Sequence, residues 1–124
     1  MTNILANAFS LQMLPEDFLE NASMLSIEPV TADAIPADAE SAVGHADTAA
    51  VLSSMLGRKV EYNRVSVSLT RDTALYVAQV MGGRLPEGAT TLPEGIEIRF
   101  YRITIPFQVA ADLDVGGTCY YPRT

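Results

Sequence analysis

The sequence is poor in the residues that build disulfides and metal centres. Its 124 residues include one cysteine, Cys119, one histidine, His45, and no tryptophan. A single cysteine excludes an internal disulfide, and one histidine with no cysteine nearby leaves only carboxylates as further ligands for a metal ion. We therefore expect neither a metal site nor a cofactor.

Long apolar runs are also missing. No stretch approaches the roughly 20 apolar residues that are needed to span a bilayer. Residues 1–9, MTNILANAF, lack the basic region and the cleavage pattern of a signal peptide. These features predict a cytoplasmic protein (the host cytoplasm if it is viral) that does not bind a membrane.

Lysine is equally scarce. Lys59 is accompanied by seven arginines and outnumbered by 15 acidic residues, which gives a net charge of −7. Binding to duplex nucleic acid relies on a broad basic surface, which this charge balance does not provide. Two or three arginines in a pocket could still bind a small phosphate-bearing ligand, because the guanidinium fork fits phosphate oxygens.

Short strands and one clear helix make up the rest of the pattern. A hydrophobic content of 48% in 124 residues is enough for one domain with its own core. Residues 46–57 are typical of a helix, with Ala49, Leu52 and Leu56 on one face and Gly57 as the C-cap. Strands are predicted at residues 3–10, 23–30, 59–69, 74–80 and 96–107. The fold class is therefore α/β: a single domain over residues 1–124, with a mixed sheet flanked by a few helices.

Details of the strand pattern lead to more specific predictions. Pro29 is expected to end the strand at 23–30. The alternation changes phase at Asn63 and Arg64, which predicts a bulge or two adjoining strands. A turn at residues 70–73 predicts that 59–69 and 74–80 pair as a hairpin. Residues 107–124, which contain Gly-Gly and a proline, are expected to form a peripheral tail.

The single histidine lies at the predicted start of the helix. His45 follows Gly44, and the helix follows His45. The free amides and the positive dipole end of a helix N-terminus bind anions, so an imidazole at this position could act on a bound anion. The alternative is a histidine at a helix start with no further role.

A glycine-rich loop carries two opposite charges. The stretch GGRLPEG at residues 82–88 holds Arg84 and Glu87 between glycines. They could be solvated turn charges, or a phosphate-binding arginine beside a carboxylate that handles a proton. The stretch matches neither of the common phosphate-binding motifs, GxxxxGK[ST] and GxGxxG. Arg64 at the phase change, and Ser10 and Gln12 after the first strand, are further polar candidates.

Five segments together resemble the successive landmarks of one family. They are LANAFSLQML (5–14), SAVGHADTAAVLSSMLG (41–57), NRVSV (63–67), YVAQV (76–80) and GGRLPEGATTLPEG (82–95). The family is that of the viral type III anti-CRISPR ring nucleases, with their bacterial and phage relatives. The resemblance covers the chain from residue 5 to about residue 105, and the combination is more specific than any one segment.

The resemblance implies a homodimer that binds cyclic tetra-adenylate, the second messenger of type III CRISPR defence. Members cut this ring without a metal ion and leave short linear adenylates that end in a 2′,3′-cyclic phosphate. The implied role of the protein is to switch off that defence, as a viral anti-CRISPR protein or as a self-limiting regulator.

The resemblance also implies roles for individual residues. His45 would be the catalytic histidine, and Glu87 would assist or position the reacting groups. Arg84 and Arg64 would hold phosphates. The ligand pocket would further be lined by Asn7, Ser10 and Gln79, and by Gln12, which stands where viral members carry asparagine.

Two other functions stay open from the sequence. A protein that sequesters a cyclic nucleotide without cutting it would need the arginines but not His45, so the histidine in the matching segment favours an enzyme. A small viral structural or interaction protein would leave the arginine in its glycine-rich loop unexplained.

Overall fold

Five strands form one mixed sheet in the computed structural model of the chain, which describes residues 2–16, 18 and 24–106. The strands are β1 (Thr2–Ala6), β2 (Ser26–Val30), β3 (Glu40–Ala42), β4 (Thr73–Met81) and β5 (Glu97–Thr104). The described α-helix α1 covers Ala46–Leu56, and short 3₁₀ helices lie at Leu11–Met13 and Ala32–Ala34. The predicted α/β fold with a mixed sheet is confirmed. The predicted tail at 107–124, with Cys119, lies outside the described residues.

The strand order brings three carboxyl ends to one edge of the sheet. The order is β2-β5-β4-β1-β3. β1 lies between β3 and β4 and runs parallel to both, so these three strands end on the same side. β5 returns antiparallel beside β4, and β2 runs antiparallel along β5. In open α/β sheets the crevice outside the carboxyl ends of parallel strands is the usual place for a ligand.

Both faces of the sheet are covered by apolar side chains. On one face, Leu52 of α1 belongs to a buried cluster with Tyr76 and Phe100 of the sheet. On the other face, Leu75 and Ile103 belong to a second cluster, against which residues of the 9–18 and 65–69 segments pack. Burying a leucine side chain stabilises a fold by about 1.5–3 kcal/mol. Since both faces are occupied by core, a binding site has to lie at the strand ends.

Helix α1 forms where the sequence predicts it. Its buried residues include Ala49 and Leu52, which face the core. Gly57 ends the helix with φ 68°, and its N–H donates to the carbonyl of Ser53 at 3.1 Å. Glycine adopts this left-handed conformation without the steric cost of a Cβ atom, so the predicted C-cap is confirmed.

The predicted hairpin between residues 59–69 and 74–80 is wrong, and so is the bulge at Asn63 and Arg64. Residues 61–66 are exposed and form no strand apart from an isolated bridge between Tyr62 and Val43. Both edges of β4 are already occupied, by β1 and by β5, so no edge is left for the preceding segment. An alternating sequence formed no strand here because strands distant in the chain took the neighbouring positions.

The prediction that Pro29 ends its strand is also wrong. β2 runs from Ser26 to Val30, and Pro29 is paired with Tyr101 of β5. Proline has no N–H to donate, but β2 is an edge strand with β5 on one side, so its outer side needs no donor.

Within the described residues, no helix is long and apolar enough to cross a membrane.

Candidate functional site

A cavity of about 540 Å³ lies at the carboxyl ends of the three parallel strands. Asn7 directly follows β1, His45 comes shortly after β3, and Gln79 lies near the end of β4. Arg84 and Glu87 come from the loop between β4 and β5. These five predicted site residues all line the same cavity, although the chain separates them by up to 80 positions.

His45 lies at the N-cap position of α1 with its side chain uncommitted. Its backbone is extended, with φ −140° and ψ 122°, and its carbonyl accepts from the N–H of Ala49 at 3.0 Å. The imidazole makes no capping hydrogen bond and is exposed. Among the described residues the ring nitrogens have no hydrogen-bond partner, so both are available to a molecule in the cavity, next to the positive end of the helix dipole.

Asn7 fixes the turn that leads to His45. Its Oδ1 atom accepts a hydrogen bond from the backbone N–H of Gly44 at 3.1 Å. This bond joins the end of β1 to the segment between β3 and α1, and it places Asn7 and His45 on the same side of the cavity. Gly44 leaves room for Arg64, because a Cβ atom at position 44 would lie 3.3 Å from the Cγ atom of Arg64.

The loop between β4 and β5 is closed at its base by two glycines. Gly82 has φ 91°, and a Cβ atom there would lie 2.4 Å from the carbonyl oxygen of Gly95. Such an approach of two backbone segments is possible only without a side chain at position 82. We call this contact the neck of the loop. It holds residues 83–94 as one projecting unit beside the cavity.

The loop is also attached to helix α1. The N–H of Gly88 donates to Oδ1 of Asp47 at 3.0 Å, and the hydroxyl of Ser54 donates to the carbonyl of Thr90 at 3.0 Å. Leu85 is partly buried and packs against the core cluster under α1. These contacts leave Arg84 and Glu87 exposed at the cavity.

Most of the described arginines are held by the protein itself. Arg99 is paired with Glu97 at 2.8 Å, and this hydrogen bond raises the pKa of Arg99. Arg102 pairs with Glu28 at 2.5 Å, and Arg58 donates to backbone carbonyls. The guanidinium of Arg71 lies 6.0 Å from the ring centre of Phe18.

Arg84 and Arg64 differ from these arginines. In the part of the chain that the structure describes, neither forms an ion pair or a hydrogen bond with a protein group. The two arginines that the resemblance assigns to phosphate binding therefore have no protein partner among the described residues.

Asp47 and Thr48, in the first turn of α1, are among the residues of the cavity wall that were not predicted. Thr48 is 4% exposed, and among the described residues its hydroxyl has no hydrogen-bond partner. A buried hydroxyl without a partner is costly, which makes Thr48 a ready donor to a bound molecule. In the sequence, the feature that could have indicated Asp47 and Thr48 is that they lie two and three residues after His45.

Ser10, Gln12 and Arg64 do not line the cavity. Ser10 caps a 3₁₀ helix, since its Oγ atom accepts from the N–H of Gln12 at 3.1 Å, and both residues are exposed. Arg64 lies beside the turn before His45, through its contact with Gly44. Their assignment to the ligand stays a prediction. Within the described residues, no three His, Cys, Asp or Glu side chains come together as a metal site would require.

Comparison with known proteins places this arrangement in a family. Residues 3–109 match the sequence model of the STIV B116-like family. The chain belongs to this family. No curated protein matches it. A solved structure with a similar fold is B116 of Sulfolobus turreted icosahedral virus, with a TM-score of 0.65.

The likeness of this STIV B116-like chain to B116 is one of fold. The two sequences are 21% identical, and the match covers 84% of this chain and 99% of B116. The predicted relation to a viral protein family is confirmed by the match to the STIV B116-like family. Ring nuclease activity stays a prediction.

Proposed function

We propose that this STIV B116-like protein is a ring nuclease that cleaves cyclic tetra-adenylate without a metal ion. The observation that supports it most is the cavity at the strand ends, which brings together the single histidine, an arginine without a protein partner and a carboxylate. The ring of four adenylates as the ligand comes from the sequence resemblance. The reaction also comes from the resemblance, and the chemistry of the three side chains agrees with it.

A ring of ribonucleotides carries its own nucleophile. In the proposed reaction the 2′-oxygen of a ribose attacks the adjacent phosphorus, and the bond from phosphorus to the 5′-oxygen of the next nucleotide breaks. The products are a 2′,3′-cyclic phosphate and a free 5′-hydroxyl. The protein has to align the 2′-oxygen with the leaving oxygen, neutralise the phosphate and move two protons.

The cavity residues supply each of these functions. Histidine can hold or release a proton near neutral pH, so His45 protonates the leaving 5′-oxygen. Arg84 donates to the phosphate oxygens as negative charge develops on them. Glu87 orients the 2′-hydroxyl and accepts its proton. Asn7 and Gln79 offer amide groups to the bases or riboses, and Thr48 offers its spare hydroxyl.

The ligand is larger than the cavity of one chain. A volume of about 540 Å³ suits a single drug-sized molecule, whereas a ring of four nucleotides needs more room. Arg64 lies just outside this cavity and is flanked by Tyr62 and Val65, which are 56% and 52% exposed. A homodimer that joins two cavities would bring Arg64 to the ligand and cover both apolar side chains.

Incubation of the purified protein with cyclic tetra-adenylate in EDTA tests the proposal. Linear adenylates with a 2′,3′-cyclic phosphate are the expected product. His45→Ala should lower the single-turnover rate by roughly 10²-fold or more, the usual contribution of a general acid, with binding within a few-fold of wild type. Full activity of this variant would overturn the role of His45.

The same experiment separates cleavage from sequestration. Tight binding by wild-type protein without any product would favour a protein that removes the ring from solution. In the cell, either activity would suppress type III CRISPR defence, but only cleavage is catalytic. Loss of wild-type cleavage on chelation would contradict the metal-free mechanism.

A further inference from the structure

Asp47 connects the two sides of the cavity. It belongs to the first turn of α1, two residues after His45, and its side chain lines the cavity. Its Oδ1 atom accepts a hydrogen bond at 3.0 Å from the backbone N–H of Gly88, the residue that follows Glu87. One side chain thus joins the segment that carries His45 to the loop that carries Arg84 and Glu87.

Apolar packing of Leu85, Ala89 and Leu92 against the core cluster holds much of the loop, but few directional contacts join it to the rest of the fold. The loop is attached to the sheet at the neck, and the hydroxyl of Ser54 contacts it at Thr90. Gly88 has φ 81° and a Cβ atom there would meet nothing within 4 Å, so its backbone is not held by packing. Within the loop the N–H of Ala89 donates to the carbonyl of Pro86 at 3.1 Å, so among the described residues the bond to Asp47 is the hydrogen bond nearest to Glu87 that joins the loop to another element.

The hydrogen bond from Gly88 to Asp47 is charge-assisted. A carboxylate that accepts from an N–H is a better acceptor than a neutral group. The first turn of a helix is also a favourable place for a negatively charged side chain. Asp47 nevertheless puts a second carboxylate into a cavity proposed to bind phosphates, which is a cost to binding that needs a compensating gain.

We propose that Asp47 is a positioning residue. It holds the loop through Gly88 so that Arg84 and Glu87 face His45 across the cavity. The proposal rests on the ring nuclease function for its effect on catalysis, but the hydrogen bond to Gly88 can be tested without any ligand. Asp47 itself has no part in moving protons.

Three variants distinguish this role from a simpler contribution to helix stability. Asp47→Ala removes the acceptor, and Asp47→Asn keeps an Oδ1 acceptor without the charge. Ser54→Ala is the matched control, because it removes the other side-chain contact from α1 to the same loop, at Thr90. If Asp47→Ala does not fold, Asp47→Ser replaces it, since its hydroxyl suits a helix start but is too short to reach Gly88.

The first measurement is amide hydrogen exchange at Gly88 in the ligand-free protein by NMR. In Asp47→Ala we expect exchange about tenfold faster or more, because the amide loses its acceptor. Asp47→Asn should return it to within a few-fold of wild type, and Ser54→Ala should leave it unchanged. An unchanged rate in Asp47→Ala overturns the proposal.

The second measurement compares binding and single-turnover cleavage of cyclic tetra-adenylate. Asp47→Ala should cleave roughly 10- to 100-fold more slowly, since small displacements of catalytic groups have effects of this size, with binding within a few-fold or tighter. Asp47→Asn should recover most of the rate. Slow cleavage by Asp47→Asn with protected Gly88 would mean that the carboxylate acts directly, and would overturn the positioning role.

These measurements distinguish a failure of the proposed ring nuclease function from a failure of the proposed role of Asp47. If the wild-type protein cleaves no ring, the proposed function is wrong, and the exchange rate at Gly88 alone decides whether Asp47 holds the loop. If the wild type cleaves and Asp47→Ala exchanges and cleaves like it, the ring nuclease stands and the role of Asp47 is wrong.

Discussion

At the scale of single residues, the proposed function gives Arg84 and Glu87 opposite effects on the same ligand. They lie three positions apart in one loop and both reach the cavity. Arg84 attracts phosphate both in the bound ligand and as charge develops during reaction. Glu87 repels phosphate in the bound state and helps only when a proton moves. Their substitution should therefore separate binding from turnover.

We predict that Arg84→Ala weakens binding and slows cleavage, each by roughly tenfold or more, through loss of a charge-assisted contact. Glu87→Ala should slow cleavage by a similar or larger factor but leave binding intact or tighter, because a repulsive charge is removed. Titration of labelled cyclic tetra-adenylate and single-turnover rates measure the two effects. Arg102→Ala is the control, since Arg102 is paired with Glu28 of β2 and does not line the cavity. If both loop variants bind and cut like wild type, these side chains are solvated turn charges.

Part of this site could be predicted from the sequence, and part of it could not. His45, Arg84 and Glu87 could be proposed because each is a chemically distinct residue in a recognisable setting. The hydrogen bond from Gly88 to Asp47 spans 41 positions, and no local pattern signals a contact of that range. Arg64 could be proposed as a phosphate-binding residue from the sequence. Its position outside the cavity could not, because that depends on how residues 61–66 cross the end of β3.

At the scale of elements, local and non-local structure were predictable to different degrees. Helix α1 depends on the spacing of its own apolar residues and on its glycine C-cap, so its bounds follow from eleven or twelve consecutive residues. The neighbours of β4 depend on strands that lie far away in the sequence. An alternating segment such as 59–69 competes with all other strands for a place in the sheet, and the sequence alone does not rank them.

The neck of the β4–β5 loop provides a prediction about stability. Gly82→Ala should be strongly destabilising, by roughly 3 kcal/mol, because the new Cβ atom would collide with a backbone oxygen at a positive φ. Gly57→Ala is the matched control: it also has a positive φ, but nothing lies within 4 Å of the new atom, so the cost should be about 1 kcal/mol. Urea unfolding of both variants measures the difference. Equal stabilities would show that the close approach of Gly82 and Gly95 does not exist in solution.

At the scale of the whole molecule, an acidic protein is proposed to bind a polyanion. The net charge of −7 is unfavourable for long-range attraction. Binding must then depend on a few cations at short range, and the described chain offers Arg84 and Arg64 without protein partners. Doubling these charges in a two-fold dimer would give four guanidinium groups to a ring with four phosphates.

We predict a dimer in solution, with a mass close to twice the 13.3 kDa of the chain by light scattering. Val65→Asp should shift the protein towards the monomer, because it places a charge on an exposed apolar residue beside Arg64. Ile27→Asp is the control, an exposed apolar residue on the edge strand β2. A monomer both with and without cyclic tetra-adenylate would contradict the shared site.

The place of β1 in the sheet has a consequence for biosynthesis. Residues 2–6 are translated before β3 and β4, yet β1 is the strand that both of them flank. It has no partner on either edge until residues 40–42 and then 73–81 have left the ribosome. By contrast, β4 and β5 are adjacent in sequence and can pair as soon as they emerge. Both partners of β1 are nevertheless translated before β5, so β1 can take its place between β3 and β4, and Asn7 can reach Gly44, before the hairpin is complete. The cavity is completed by the loop that follows β4, so a chain arrested at residue 81 would contain β1 and both of its partner strands but not Arg84 and Glu87.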